Sequence, residues 1–215
     1  MKQLPVYLAS QSPRRRELLA QIGVRFDVLD VLVPEEHQLD EAPSDYVQRV
    51  AIDKAQAGVA LLEKNYLEVN KTGLSNWQST KKRATIGLVI GADTAVVCNG
   101  QILGKPESAE HAELILKQLS AKTHEVYTGV AVYGSRILTA TSRTLVTFKR
   151  LSPEEIKRYI ATNEASDKAG SYAVQGLAAI FIENLQGSYS GVMGLPLYET
   201  ARLLAQSGVD VLSAR

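Results

Sequence analysis

The apolar and polar positions of the chain switch repeatedly between two periods, and this predicts strands and helices in alternation. Val6, Tyr7 and Leu8, within Leu4–Ala9, read as a first strand buried on both faces. Ser12 then stands as an N-cap with Pro13 in the first helical turn, Leu18, Leu19 and Ile22 open an apolar stripe, and Gly23 stops the helix. Arg25–Val33 reads as a second strand and about Ser44 to Leu62 as a helix. Ile86–Gly91 reads as a strand running into Ala92-Asp93-Thr94. A hairpin follows from Ala95–Cys98 through Asn99-Gly100 to Gln101–Leu103, because Asn-Gly suits a type I′ turn. Further expectations are a helix over Ser108–Leu119, strands over Glu125–Tyr133 and Ile137–Phe148, and a capping box at Ser152-Pro153-Glu154-Glu155. A strand over Ala178–Glu183 and a helix over Pro196–Gln206 close the series. The pattern is that of an α/β chain with a mixed sheet.

One stretch breaks it. Glu63–Thr85 is polar, carries five basic against two acidic residues and holds the only tryptophan, Trp77. A loop of that length inside a compact domain reads as a mobile insertion.

Composition narrows the function. The 215 residues carry 24 Lys and Arg against 23 Asp and Glu. That balance lacks the cationic surplus by which a dedicated nucleic-acid binder displaces counterions. With 45% hydrophobic residues a normal core is expected. The single cysteine, Cys98, excludes an internal disulfide and a Cys-rich zinc site. No apolar run approaches the roughly 18 residues of a membrane span, and Pro5 interrupts the opening residues too early for a signal peptide. A soluble cytoplasmic enzyme or binding protein is expected.

The first strand-to-helix junction is the most informative place for chemistry. A helix N-terminus offers unpaired N–H groups and a positive dipole end, both favouring an anion. Ser10 and Ser12 add hydroxyls there, and Arg14 and Arg15 add forked cations suited to phosphate. A capped surface helix with solvated arginines would show the same residues. Asp93 is expected at a strand end, and Glu35 and Glu36 follow another. Two carboxylates 4 Å apart repel by about 4 kcal/mol at an effective dielectric near 20. Convergence would therefore require a divalent cation, Mg²⁺ or Mn²⁺, or a retained proton; the alternative is ordinary loop charges. Lys54 lies in a predicted helix and Lys105 in Gly104-Lys105-Pro106, either aimed at a phosphate or simply solvated. His37, His111 and His124 show no metal-ligand spacing. No G-x-S-x-G, P-loop or G-x-G-x-x-G motif is present. Asp167–Gly176 is small, polar and glycine-bearing, with Gln175 able to pair with a base edge.

Taken in order, these segments resemble a known family. Ala9-Ser10-Gln11-Ser12-Pro13-Arg14-Arg15 is similar to the opening signature of the Maf proteins, nucleoside triphosphate pyrophosphatases. Gly91-Ala92-Asp93-Thr94, Gly104-Lys105-Pro106, Asp167-Lys168-Ala169-Gly170, Val174-Gln175-Gly176 and Gly194-Leu195-Pro196-Leu197 follow in the family's order. The resemblance spans about Tyr7 to Leu204. It implies one domain over residues 1–215, with a mixed twisted sheet in two lobes around a central cleft, like that of inosine triphosphatases. It also implies a homodimer and cleavage between the α- and β-phosphates. By the same resemblance Asp93 is the proton acceptor, and Ser10, Arg15, Glu35, Lys54 and Lys105 serve the phosphates or the metal. Arg14, Thr94 and Gln175 match the subfamily acting on dTTP and UTP rather than the one acting on 7-methyl-GTP. A nucleotide-binding role in cell division is the alternative outside catalysis. The 63–85 segment is longer than the family usually has there.

Overall fold

The computed structural model describes residues 4–70, 87–164 and 166–212. Its organising element is β3 (Leu88–Cys98), eleven residues of which all but Thr94 are buried. The two separate strands expected on either side of Asp93 are this one strand, so Asp93 lies in its middle and not at its end. Pairing with β5 (Thr123–Tyr133) from Val89 to Val97 keeps the stretch extended through the acid. Beyond β5 lie β6 (Ile137–Phe148) and β7 (Ile182–Gln186), all antiparallel.

The other edge of β3 is shared. β1 (Val6–Leu8) runs parallel to it from Val6 opposite Leu88 to Leu8 opposite Ile90, with β2 (Asp27–Val28) outside β1. β4 (Gln101–Leu103) folds back on Val96–Cys98. The connecting Asn99 and Gly100 have φ of 52° and 76°, the left-handed pair a type I′ turn needs. Since β5 holds one edge throughout, residues 91–95 of β3 have no strand beside them on the other edge among the described residues.

The helices α1 (Pro13–Gln21), α2 (Pro43–Asn70), α3 (Ala109–Leu119), α4 (Pro153–Ile160), α5 (Tyr189–Met193) and α6 (Leu197–Gln206) complete the fold. α2 covers one face with Val47, Val50, Ala51 and Ala55. It sits so close that a Cβ on Gly91 would come 2.1 Å from the Ala51 carbonyl oxygen, and one on Gly129 2.4 Å from that of Val47. On the opposite face two apolar clusters form. Leu18, Leu19, Leu203 and Leu204 pack on Ile90, Ala92 and Val130, while Ile115, Leu116, Leu119 and Ile156 pack on Val96, Val126 and Phe148. Between them Thr94, Thr128 and Ser142 stand in register, a polar row dividing the two apolar clusters. The fold is thus the expected α/β mixed sheet.

Three expected elements change. α2 runs to Asn70, so the first part of the expected insertion is helical; residues 71–85 of it lie outside the described residues. Of Arg25–Val33 only Asp27–Val28, both exposed, pair as a strand, although Leu29 just beyond them is buried. Ala178–Glu183 is mostly a 3₁₀ turn, Leu177–Phe181, because Ala178 and Phe181 are buried three apart rather than alternately; β7 starts after it. No helix among the described residues is long and apolar enough to cross a membrane.

His124 is buried beside Phe148 and Tyr172, 1% exposed, with Nε2 2.8 Å from the Tyr172 hydroxyl and its ring edge-on to Phe148. Burial lowers its pKa from 6.5 to about 4. The unfolded chain therefore binds this proton more readily, and the stability it contributes is present above pH 6.5 and lost as pH falls towards 4. Urea unfolding should show the wild type losing about 3 kcal/mol more than His124→Gln over that interval. Parallel losses in the two proteins would refute this account.

Candidate active site

The unpartnered stretch of β3 gives the site its place. Alternation sends Asp93 towards the α2 face and Thr94 towards the α1 face, and both lie in the opening that β1 and β4 leave along this edge of β3.

From the α2 side comes Lys54. It occupies the helix face of Val47, Val50, Ala51 and Ala55, so the helix carries it inside, where it is only 7% exposed. Its Nζ donates to Asp93 Oδ1 at 2.8 Å and lies 2.6 Å from Glu35 Oε1. A third contact, at 3.4 Å, reaches the Ala92 carbonyl on the open edge of β3. Of the two carboxylates, Asp93 is buried and the Glu35 side chain is 45% exposed. Glu35 and Asp93 do converge, and the ammonium of Lys54 offsets their repulsion. That is a solution the sequence reading, which weighed a divalent cation or a retained proton, did not consider. Burial alone would raise the pKa of Glu35; the hydrogen bond and charge of Lys54, joined by Lys105 and Arg15, outweigh it and hold the carboxyl below its ordinary value. Tyr46 fixes the loop, its hydroxyl donating to the Glu35 carbonyl at 2.8 Å. Burial first, then the charges of Asp93 and Glu35, push that phenol up to about 12, so it remains a donor.

From the α1 side comes Arg15. β1 ends as the chain turns into the helix, where Ser12 is the N-cap residue without a side-chain capping bond and Pro13 follows. Arg15 Nε donates to the Gly194 carbonyl at 2.8 Å, Nη1 to Ser10 Oγ at 3.2 Å and Nη2 to Thr94 Oγ1 at 3.4 Å. A guanidinium has five N–H donors, so each terminal nitrogen keeps one for a ligand. Ser10 Oγ also accepts from the Ser12 amide at 3.3 Å, which leaves its own proton to donate. Burial lowers the pKa of Arg15, against the pull of Asp93 and Glu35.

The structure thus brings Ser10, Arg15, Glu35, Lys54, Asp93 and Thr94 together. Lys105 is exposed and close enough for its charge to act on Glu35. Arg14 acts electrostatically on Arg15 and on Asp167, which joins the Asp167–Gly176 segment to this side. Gln175 is exposed and takes part in none of these contacts. Tyr46, Thr128 and the carbonyl of Gly194 were missed; only the last lies in a segment the sequence singled out. No group of three or more His, Cys, Asp or Glu side chains able to hold a metal occurs among the described residues. Two carboxylates suit Mg²⁺ nonetheless, since it commonly takes one or two and fills its shell with water and substrate phosphates.

Comparison with known proteins gives this geometry its relatives. Residues 5–207 match the family described as Maf-like protein. The chain is 47% identical over 205 residues to the dTTP/UTP pyrophosphatase of Alkalilimnicola ehrlichii, covering 95% of this chain and 94% of that one. It is 46% identical over 216 residues to the protein of the same name from Aromatoleum aromaticum, covering 96% and 97%. With that of Escherichia coli O157:H7 the identity is 44% over 201 residues, covering 93% and 91%. Such matches along nearly the whole length, through every segment that builds the opening on β3, make this chain a member of the Maf family.

Proposed function

We propose that this protein hydrolyses nucleoside triphosphates, with dTTP and UTP preferred, to the monophosphate and pyrophosphate. The observation that carries this reading is a carboxylate pair and a guanidinium meeting at one opening: Asp93 and Glu35 on Lys54, with Arg15 beside them. The preference rests on the names of the relatives, together with Arg14, Thr94 and Gln175 at the positions where the resemblance places specificity.

In this reading the triphosphate lies along the α1 N-terminus. The free N–H groups of Arg15 and the hydroxyl of Ser10 bind its oxygens, and Arg14, Lys54 and Lys105 supply further positive charge as pyrophosphate leaves. Asp93 takes the proton of the attacking water. Its Oδ1 is on Lys54, and Oδ2 accepts no hydrogen bond among the described residues. Glu35 and Asp93 would hold a divalent cation, Mg²⁺ or Mn²⁺, which supplies charge stabilisation for the phosphates when bound. The homodimer and the cytoplasmic setting belong to the same proposal.

Pyrophosphate release from a panel of UTP, dTTP, 7-methyl-GTP and ITP should favour the first two, and a preference for 7-methyl-GTP would reverse the assignment. Asp93→Asn should fold as the wild type does and lose turnover by at least about a hundredfold, as expected for removing a general base; full activity would remove Asp93 from the reaction. Lys54→Met should raise the pKa of Glu35 in the metal-free protein, because desolvation is then opposed less. Carboxyl chemical shifts followed against pH report it, and an unmoved titration would contradict the role given to the ammonium.

A further inference from the structure

Behind Arg15 a chain of hydroxyl groups runs through the polar row between the two apolar clusters. Thr128, opposite Thr94 on β5, is wholly buried. Its Oγ1 lies 2.7 Å from the Gly191 carbonyl oxygen and 3.0 Å from Thr94 Oγ1. A carbonyl can only accept and a hydroxyl carries one proton, so Thr128 donates to Gly191. The pair with Thr94 then has one direction: Thr94 donates and Thr128 accepts. With its proton turned inward, Thr94 meets Arg15 Nη2 as an acceptor, which suits a guanidinium that can only donate. The two outer ends of this arrangement return to one short element. Gly191, inside α5, receives Thr128, and Gly194, its C-cap in the left-handed conformation at φ 116°, receives Arg15 Nε. A Thr94 hydroxyl free to rotate could turn its proton towards the guanidinium and lose that contact.

We propose that Thr128 is a positioning residue, which orients the triphosphate-binding guanidinium of Arg15 through the hydroxyl of Thr94. Thr128 itself touches no ligand in this arrangement. The inference rests on the reading of Arg15 as a phosphate ligand, and the test separates the two.

Thr128→Val keeps the shape and removes both hydrogen bonds. Steady-state pyrophosphate release from UTP with Mg²⁺ should show KM raised about tenfold, with kcat within about threefold of wild type. Calorimetric titration with inorganic tripolyphosphate should show a similar rise in Kd. A protein merely less well folded would lose active fraction at unchanged KM. Thr128→Ser, which keeps the hydroxyl, should restore both constants. Because Thr128 acts through Thr94, the double variant Thr94→Val/Thr128→Val should bind no worse than Thr94→Val alone. Unchanged binding in Thr128→Val, no rescue by serine, or additive losses in the double variant would each overturn the proposal. If Thr128→Val does not fold, Thr128→Cys, with its weak donor and similar bulk, is held to the same outcomes. A wild type that binds tripolyphosphate without hydrolysing UTP would overturn the functional reading while the Kd series still decides the role of Thr128. A wild type that does neither overturns both.

Discussion

The site depends on β3 being longer than anything that can pair with one of its edges. A strand inside a sheet ordinarily has both edges bonded, because unpaired buried N–H and C=O groups are costly. Here two short strands share one edge, and each is short for a local reason. β1 has three residues because Ser12-Pro13 starts α1; proline has no N–H for a ladder and its fixed φ suits a first helical turn. β4 also has three, and Gly104-Lys105-Pro106 follows it directly. The five residues left between them include Asp93 and Thr94, which alternate to opposite faces. A buried lysine from α2 and an arginine from α1 therefore reach one opening from opposite sides of the sheet. The Ala92 carbonyl on that edge takes part of its satisfaction from Lys54.

Charge then follows from burial. Lys54 and Asp93 are both inside, where an isolated ion would be costly and a paired one is tolerated. Glu35, nearer solvent, joins the same ammonium and leaves it with two acidic partners. Arg15 is held mainly by uncharged oxygens, from Gly194, Ser10 and Thr94, so its charge is not cancelled by a direct ion pair. The opening thus has an acidic side whose two carboxylates are only partly offset by one ammonium, and an arginine retaining both charge and donors. Such a division favours a polyanion on the arginine side and proton transfer on the other.

Much of this was legible in the sequence. Pro13 at the start of α1 and the Asn99-Gly100 turn behave as their residue types predict, and the capping box at Ser152–Glu155 forms. The Lys54 signal was present but discounted: it falls among Val47, Val50, Ala51 and Ala55 at helical spacing, a position that faces the core whatever its charge. Other features had no local signal. An acid in an apolar run reads as the end of a strand, and only pairing across Val89–Val97 with β5 keeps β3 going through Asp93. The need for glycine at 91 and 129 comes from the backbone of a helix far away in sequence. The direction of the Thr94–Thr128 bond depends on a carbonyl 63 residues beyond Thr128.

The same geometry bears on how the proposed hydrolysis is divided among side chains. Covalent catalysis by Ser10 would need a base against its hydroxyl, and what meets its oxygen is two donors, the Ser12 amide and Arg15. The histidines are engaged elsewhere: His37 with the Glu41 carbonyl, His111 with the Glu107 amide, and His124 in the core with Tyr172. The carboxylates are then the bases available at the opening, and they are not equivalent. Glu35 is reached by Lys54, Lys105 and Arg15, which keep it ionised and make it a poor acceptor of protons. Asp93 is more deeply placed and keeps one oxygen free of hydrogen bonds among the described residues, at the edge where β1 has already turned away. In the proposed hydrolysis, direct attack by water with Asp93 as the proton acceptor uses the carboxylate that keeps an oxygen free of hydrogen bonds among the described residues.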